Sequence, residues 1–305
     1  MKIKWLTVFL KYDIIRKDII MNTFMRKDNE NNNSTKSNVL ATSISVVPSS
    51  LIVPEGATTT FHAIISPSNT TNSSVKWMSS DISVMTIDQN TGLATAVGVG
   101  TVTIRATTRD GSNLRDTATV TVRPIVSVIS CSKSTWVSGS ATMGSNMATA
   151  MGRNNSYRVV TPVNSSAFAT EWSNSSTCVV IHTHSSPTVL QGIDDYANTP
   201  LIINIDEIQN MSANYDIDFV MITACMTAGG DEYNNVAYWL SKKINPMGIV
   251  IANKENVNGV DTEFGAAGSI PGWVMYRNGT VIKTPEEMPI TLTMASAKAQ
   301  YDEER

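Results

Sequence analysis

The chain has 305 residues, a formal net charge of −3 and a sequence pI near 5.7. That length predicts two domains of ordinary size, each able to bury its own core. The slight acidity and the lack of any basic block exclude nucleic acid as a partner. The three cysteines, Cys131, Cys178 and Cys225, cannot close a disulfide framework, and no two of them have metal-ligand spacing.

In chain order, Met1 to Ile20 carries lysines and a short apolar run, Trp5 to Leu10, smaller than the ~7–15-residue core of a secretory signal. Lys11, Asp13, Arg16, Lys17 and Asp18 rule out a membrane span there, which needs roughly 20 mostly apolar residues. Asn29 to Asn38 is an Asn/Ser-rich polar tract, so residues 1–40 are expected to be a disordered leader region. A mis-assigned or incomplete N-terminus is part of that expectation.

Residues 41–123 read as an all-β module. Ile44 to Val46, Leu51 to Val53, Thr59 to Ile65, Val75 to Trp77, Val84 to Ile87, Thr101 to Ala106 and Ala118 to Val122 are short runs with strand character. Pro48, Pro54-Glu55-Gly56, Pro67-Ser68-Asn69, Gln89 to Gly92 and Arg109-Asp110-Gly111 supply the turns, and such spacing predicts a β-sandwich. Val75-Lys76-Trp77, Ser79-Ser80-Asp81, Val84, Ile87, Thr91 to Ala96 and Gly98 to Ile104 together resemble the group-2 bacterial Ig-like domain over essentially the whole segment. The resemblance implies a spacer or adhesive module of a bacterial or phage surface protein. Trp77 and the glycines are expected to serve packing and turns, and this part carries no catalytic constellation.

Residues 124–149, rich in Ser, Thr, Gly and Met, are expected to be a linker with one strand at Val126 to Ser130. Strand and helix patterns then alternate through 150–305. Strands are predicted at Tyr157 to Thr161, Val179 to His182, Phe219 to Thr223 and Gly248 to Ala252, and helices at Ser165 to Trp172, Glu207 to Met211 and Asn235 to Ile244. Trp273 to Tyr276 and Val281 to Ile282 read as a hairpin. Such alternation implies βαβ units and an α/β domain with a mostly parallel sheet.

Two of these strands end on chemically active side chains. One runs from Cys178 to His182-Thr183-His184, the other from Phe219 to Thr223-Ala224-Cys225, which is followed by Met226 to Gly230. In open α/β sheets the site lies at the strands' carboxyl ends, so neighbouring strands would bring His184 and Cys225 to one crevice. The small residues after Cys225 allow a sharp turn, and the helix pattern beyond it can lower a thiol pKa. The plainer alternative is a packed cysteine and a hydrogen-bonded strand-end histidine. His182 and His184 also form a His-x-His pair that could bind a metal. A carboxylate such as Asp194, Asp195 or Asp206 would have to complete the site, since the remaining histidine, His62, lies in the β module. His182, inside the apolar stretch, is expected to be packed, as is Cys178, and Cys131 is given no role.

The blocks Val179 to Ser185 and Val220 to Gly229 resemble the paired histidine and cysteine blocks of caspase-like cysteine peptidases, CHAT-type members above all. The order and the separation near ~50 residues agree. Gly248 to Ala252 and Pro271 to Gly279 resemble later strands of the same fold, so the similarity spans roughly Tyr157 to Ile282. The resemblance implies a peptidase domain with Cys225 as nucleophile and His184 as acid/base, the backbone N–H groups of Ser185 and Cys225 as oxyanion donors, and a peptide or protein as substrate. It implies no cofactor and no metal. Ser185 stands where the family has Gly. Thr223 stands where the family carries a specificity-determining Gln or Asp, so specificity does not carry over, but the position makes Thr223 a candidate substrate contact, and Asp231 is a candidate partner for a basic substrate side chain. The competing expectation is a non-enzymatic surface protein that keeps this fold, meeting a cell-surface ligand through its Ig-like part. Either way the expected location is extracellular or the cell envelope, with no membrane span, although the C-terminal Tyr301 to Arg305 shows no sorting anchor.

Overall fold

The computed structural model describes residues 37–130, 137–175, 177–191, 202–224, 226–255, 266–269 and 272–305. Nearly all of the expected leader, and Cys131, Asp194, Asp195 and Cys225, lie outside the described residues.

The first nine strands are β1 (Ser43–Val47), β2 (Ser50–Pro54), β3 (Thr58–Thr60), β4 (His62–Ser66), β5 (Val75–Ser79), β6 (Met85–Ile87), β7 (Leu93–Ala96), β8 (Gly100–Thr108) and β9 (Arg115–Arg123). They form a four-stranded sheet β2-β9-β8-β5, a three-stranded sheet β3-β7-β6 and the pair β1-β4. Every second residue of β8 from Val102 and of β9 from Ala118 is buried, the alternation of strands with one face on a core. Those side chains meet Phe61, Trp77, Met85 and Ala94 between the layers. Trp77 is 3% exposed, with its ring centroid 6.2 Å from that of Phe61, so it serves packing as expected. Gly92 has φ of 76°, and a Cβ there would sit 2.4 Å from the Phe61 carbonyl oxygen, so only glycine fits the turn. The predicted strand Thr59 to Ile65 divides at buried Phe61, whose N–H donates to Gly92 O. As a result β3 joins β7 while β4 joins β1.

Only Pro124 and Ile125 separate β9 from β10 (Val126–Ser130). The segment expected to be a linker with one strand, 124–149, does hold the strand Val126–Ser130, inside the sheet, but continues as helix α1 (Val137–Ala150). Its Ser/Gly-rich composition hides a helix whose Met143, Met147 and Ala148 are buried against the sheet. Packing, not propensity, holds such a helix.

The remaining elements are β11 (Tyr157–Val160), α2 (Ser165–Ser173), β12 (Thr177–His182), β13 (His184–Ser186), β14 (Val189–Gln191), β15 (Ile202–Asn204), α3 (Ile205–Asn210), β16 (Ile217–Thr223), α4 (Val236–Ser241), β17 (Ile249–Asn253), β18 (Ala266–Ser269), β19 (Trp273–Arg277), β20 (Thr280–Lys283), β21 (Thr291–Thr293) and α5 (Met294–Glu303). Seven strands form one sheet in the order β11-β10-β12-β16-β17-β19-β20. The first five run parallel, and β19 and β20 add an antiparallel hairpin. Side chains of β12 and β16 alternate between two cores. Val179, Ile181, Val220 and Ile222 meet Phe168 and Trp172 of α2, Ile208 of α3 and Leu240 of α4. Cys178, Val180, Phe219 and Met221 meet α1 and the Met294, Ala297 and Tyr301 side chains of α5. The central runs Cys178 to Ile181 and Phe219 to Ile222 are therefore apolar without interruption, as parallel strands covered on two faces must be. Each large side chain so buried contributes ~1.5–3 kcal/mol. Where the two parts of the chain meet, the Arg123 guanidinium donates to the Asn174 carbonyl and carboxamide oxygens at 3.0 and 3.1 Å.

Candidate functional site

Sheet order reverses against chain order between β10 and β12, and open parallel sheets bind ligands at the carboxyl ends of strands beside such a reversal. Ser130, His182 and Thr223 are register partners at the ends of β10, β12 and β16. They mark the floor of the candidate site.

His182 is 1% exposed, and its Nδ1 shares a 2.8 Å hydrogen bond with Ser140 Oγ of α1. Burial, with His184 nearby as the lesser cause, pushes its pKa down to about 4. Its burial and its bond to α1 place it as a packing and supporting group. His184 lies two residues on, where β12 has ended and β13 opens, and it is partly exposed. β13 pairs antiparallel with β14, and β14 with β15, forming a small three-stranded flap beyond the main sheet. Within it Ser185 faces Leu190, and Thr183 Oγ1 donates to Gln191 O at 2.8 Å, fixing the exit from β12.

Cys225 lies outside the described residues, but both flanks are placed. Ala224 is buried at the end of β16. Beyond, Met226 adopts φ of 53°, and its N–H donates to Glu255 O at 2.9 Å. Ala228 N–H donates to Asn253 O at 2.9 Å and Gly229 N–H to Met226 O at 2.8 Å. This turn is thus clamped to the end of β17. It is also tied to the histidine side. Val236 N–H donates to Pro187 O at 2.9 Å, Ala237 N–H donates to Thr227 O at 3.0 Å, and Gly230 packs against the Pro187 ring. The segments that follow His184 and Cys225 are therefore bonded to each other.

Two expected substrate contacts fare differently. Thr223 needs correction. It is 3% exposed, its hydroxyl donates to Ile181 O at 3.2 Å and touches Met143 Sδ, so the sheet interior occupies it. Asp231 is exposed, with Oδ1 accepting from Tyr233 N at 2.9 Å in the turn that leads to α4. Cys178 is fully buried, which pushes its thiol pKa far up and leaves it inert. Asp206 is exposed on α3, and His62 is exposed on β4 in the β module. Among the described residues no three His, Cys, Asp or Glu side chains are grouped to hold a metal. Sequence reasoning missed Ser140, which sits in a segment without helix signals. It also missed Asn235, whose only local sign is its fitness as a helix N-cap.

Two uncharacterized proteins of Clostridium acetobutylicum resemble parts of the chain. One is 35% identical over 133 residues, 44% of this chain and 13% of the relative. The other is 48% identical over 67 residues, 22% of this chain and 17% of the relative. The chain therefore spans less than a fifth of the length of either. Among solved structures, an S-layer protein matches with 20% identity over 28% of this chain and 13% of that one, at a TM-score of 0.24. A C-terminal fragment of intimin, in complex with the intimin-binding domain of its translocated receptor, matches with 11% identity over 48% and 46%, at 0.22. Scores that low carry no argument about fold or function. The family model for the bacterial Ig-like domain (group 2) matches residues 40–123, where the two-layered β module lies, and this part of the chain is such a domain.

Proposed function

We propose that the α/β domain is a cysteine endopeptidase of caspase-like type, carried behind the Ig-like domain as a spacer. The observation that carries this reading is the bonding between the two strand-end segments, Val236 N–H to Pro187 O above all, which draws the chain after His184 to the chain after Cys225. Support also comes from the parallel strands β12 and β16 being neighbours in register up to His182 and Thr223, each two residues short of its candidate. In the reaction, the Cys225 thiolate attacks the scissile carbonyl carbon and the C=O electrons move to oxygen, held by the backbone N–H groups of Ser185 and Cys225. Collapse breaks the C–N bond as the His184 imidazolium gives its proton to the leaving amine. Water, deprotonated by His184, then hydrolyses the thioester. Asp231 is the remaining candidate for contact with a basic substrate side chain.

The Ig-like domain, with its Thr/Ser-rich and lightly charged surface, suits an extracellular or cell-envelope setting, where it would space the catalytic domain or meet a surface ligand. No described helix is long and apolar enough to cross a membrane. Incubating the full chain with an unfolded protein such as casein tests the activity. Wild type should cleave it, or itself, and Cys225→Ala should not while keeping its circular dichroism spectrum. Equal cleavage by both overturns the assignment. One observation favours a second reading, a non-enzymatic surface protein: Ser185 puts a Cβ where the family keeps glycine beside the oxyanion. Slow alkylation of Cys225 at neutral pH, typical of an ordinary thiol, would select that reading.

A further inference from the structure

The turn between Gly230 and α4 holds a buried carboxamide that the proposed chemistry does not use. Asn235 is fully buried, and its side chain makes four hydrogen bonds. Its Nδ2 donates to Asp231 O at 3.0 Å, to Glu232 O at 3.4 Å and to the Tyr276 hydroxyl at 3.1 Å. Its Oδ1 accepts from Tyr238 N at 2.8 Å, capping α4. Tyr276 lies on β19 and is itself fully buried. One side chain thus joins the loop's carbonyls, the first turn of α4 and the main sheet.

The cap alone would explain the oxygen. It does not explain the amino group, which reaches back into the loop and across to the sheet. The next residue, Val236, donates its N–H to Pro187 O, and Ala237 donates to Thr227 O. The bond that reaches the histidine segment and the one that returns α4 to the turn after Cys225 therefore both start within two residues of Asn235. A buried polar group with every bond made fixes its surroundings to one geometry, and losing one partner is costly.

We propose that Asn235 is a positioning residue for the Cys225–His184 pair, setting through Val236 and Pro187 the spacing of the two strand-end segments. The proposal rests on the peptidase reading above. Asn235 acts by holding the loop whose Val236 N–H meets Pro187 O. Tyr276 is its anchor in the sheet.

The test uses the full chain and the pH dependence of Cys225 alkylation by iodoacetamide, read on the Cys225 peptide by mass spectrometry, beside urea unfolding. Asn235→Asp keeps the capping oxygen but turns the donor toward the loop carbonyls into an acceptor, and Tyr276→Phe removes the anchor hydroxyl alone. Wild type should label at pH 6 roughly tenfold faster than His184→Ala, because a thiolate paired with imidazolium persists at lower pH. Both Asn235→Asp and Tyr276→Phe should fall roughly tenfold at pH 6, toward the His184→Ala rate, and match wild type at pH 9. A merely structural role predicts lower urea midpoints with the wild-type pH profile, and that result overturns the proposal. Should Asn235→Asp fail to fold, Tyr276→Phe decides alone. Identical profiles for wild type and His184→Ala overturn the peptidase reading and this proposal with it. A wild-type difference that Tyr276→Phe leaves intact overturns only the role of Asn235.

Discussion

Acidifying the protein from pH 7.5 to pH 4 should destabilise it through one side chain in particular, His182. The ring is 1% exposed between α1 and the end of β12, with Ser140 Oγ on Nδ1, and burial first and His184 second lower its pKa. Its pKa of about 4 in the fold lies below the 6.5 of an unperturbed histidine. The unfolded chain therefore takes up the proton first as pH falls. Stability from the neutral ring is complete above about 6.5, declines through the interval, and is gone below about 4. At ~1.36 kcal/mol per pKa unit, the whole loss is roughly 3 kcal/mol. Carboxylates titrate over part of the same range, so the assay is differential. Urea unfolding followed by circular dichroism is run on wild type and His182→Gln at pH 7.5, 5.5 and 4.0. Wild type should lose roughly 3 kcal/mol more than the variant across that range, most of it between pH 6.5 and 4. Parallel pH profiles for the two proteins would show that His182 is not held neutral by burial.

Other perturbations follow from the same geometry. Trp172→Ala on α2 removes a fully buried ring stacked 6.3 Å from Phe168 and should cost ~3–5 kcal/mol, seen as a lower urea midpoint; a loss under ~1 kcal/mol would contradict its place in the core. Gly92→Ala meets the Phe61 carbonyl at 2.4 Å with φ of 76°, so calorimetry should show the Ig-like domain unfolding at lower temperature, by more than ~1 kcal/mol, and an unchanged trace counts against the strained turn. Asp110 is held down to about 2 by the Ala41 N–H and the Ser112 hydroxyl, both donating to its carboxylate. The stability it lends is present above the ordinary carboxylate range and lost as pH falls from about 4 toward 2. Asp110→Asn should remove that acid-dependent step from the Ig-like unfolding profile, and its persistence would assign the step to other carboxylates.

How much of this was legible beforehand depends on whether the signal is local. Trp77 within β5, Phe168 and Trp172 on one face of α2, and the hairpin of β19 and β20 follow from short periodicities and turn residues. The segments of β12 and β16 that the sequence marks are unbroken apolar runs because both faces are covered. Helix α1 could not be read the same way, since Ser138, Gly139, Ser140, Gly144 and Ser145 are poor helix formers, and the helix persists because Met143 and Met147 pack on the sheet. The flap of β13, β14 and β15 also went unseen, because three-residue strands carry too little pattern.

For the candidate site, sequence and structure divide the work in the same way. The sequence by itself determined which residue types could carry chemistry and that the candidates His184 and Cys225 follow apolar strands, because side-chain type and apolar run length are properties of the chain alone. Only the tertiary structure decided that β12 and β16 are neighbours, that His182 is buried beside Ser140, that Thr223 is spent inside the sheet, and that the Val236 N–H meets Pro187 O across the two loops. Each of those depends on partners tens of residues away, brought together by burying two faces of one sheet, and no local spacing encodes such a meeting.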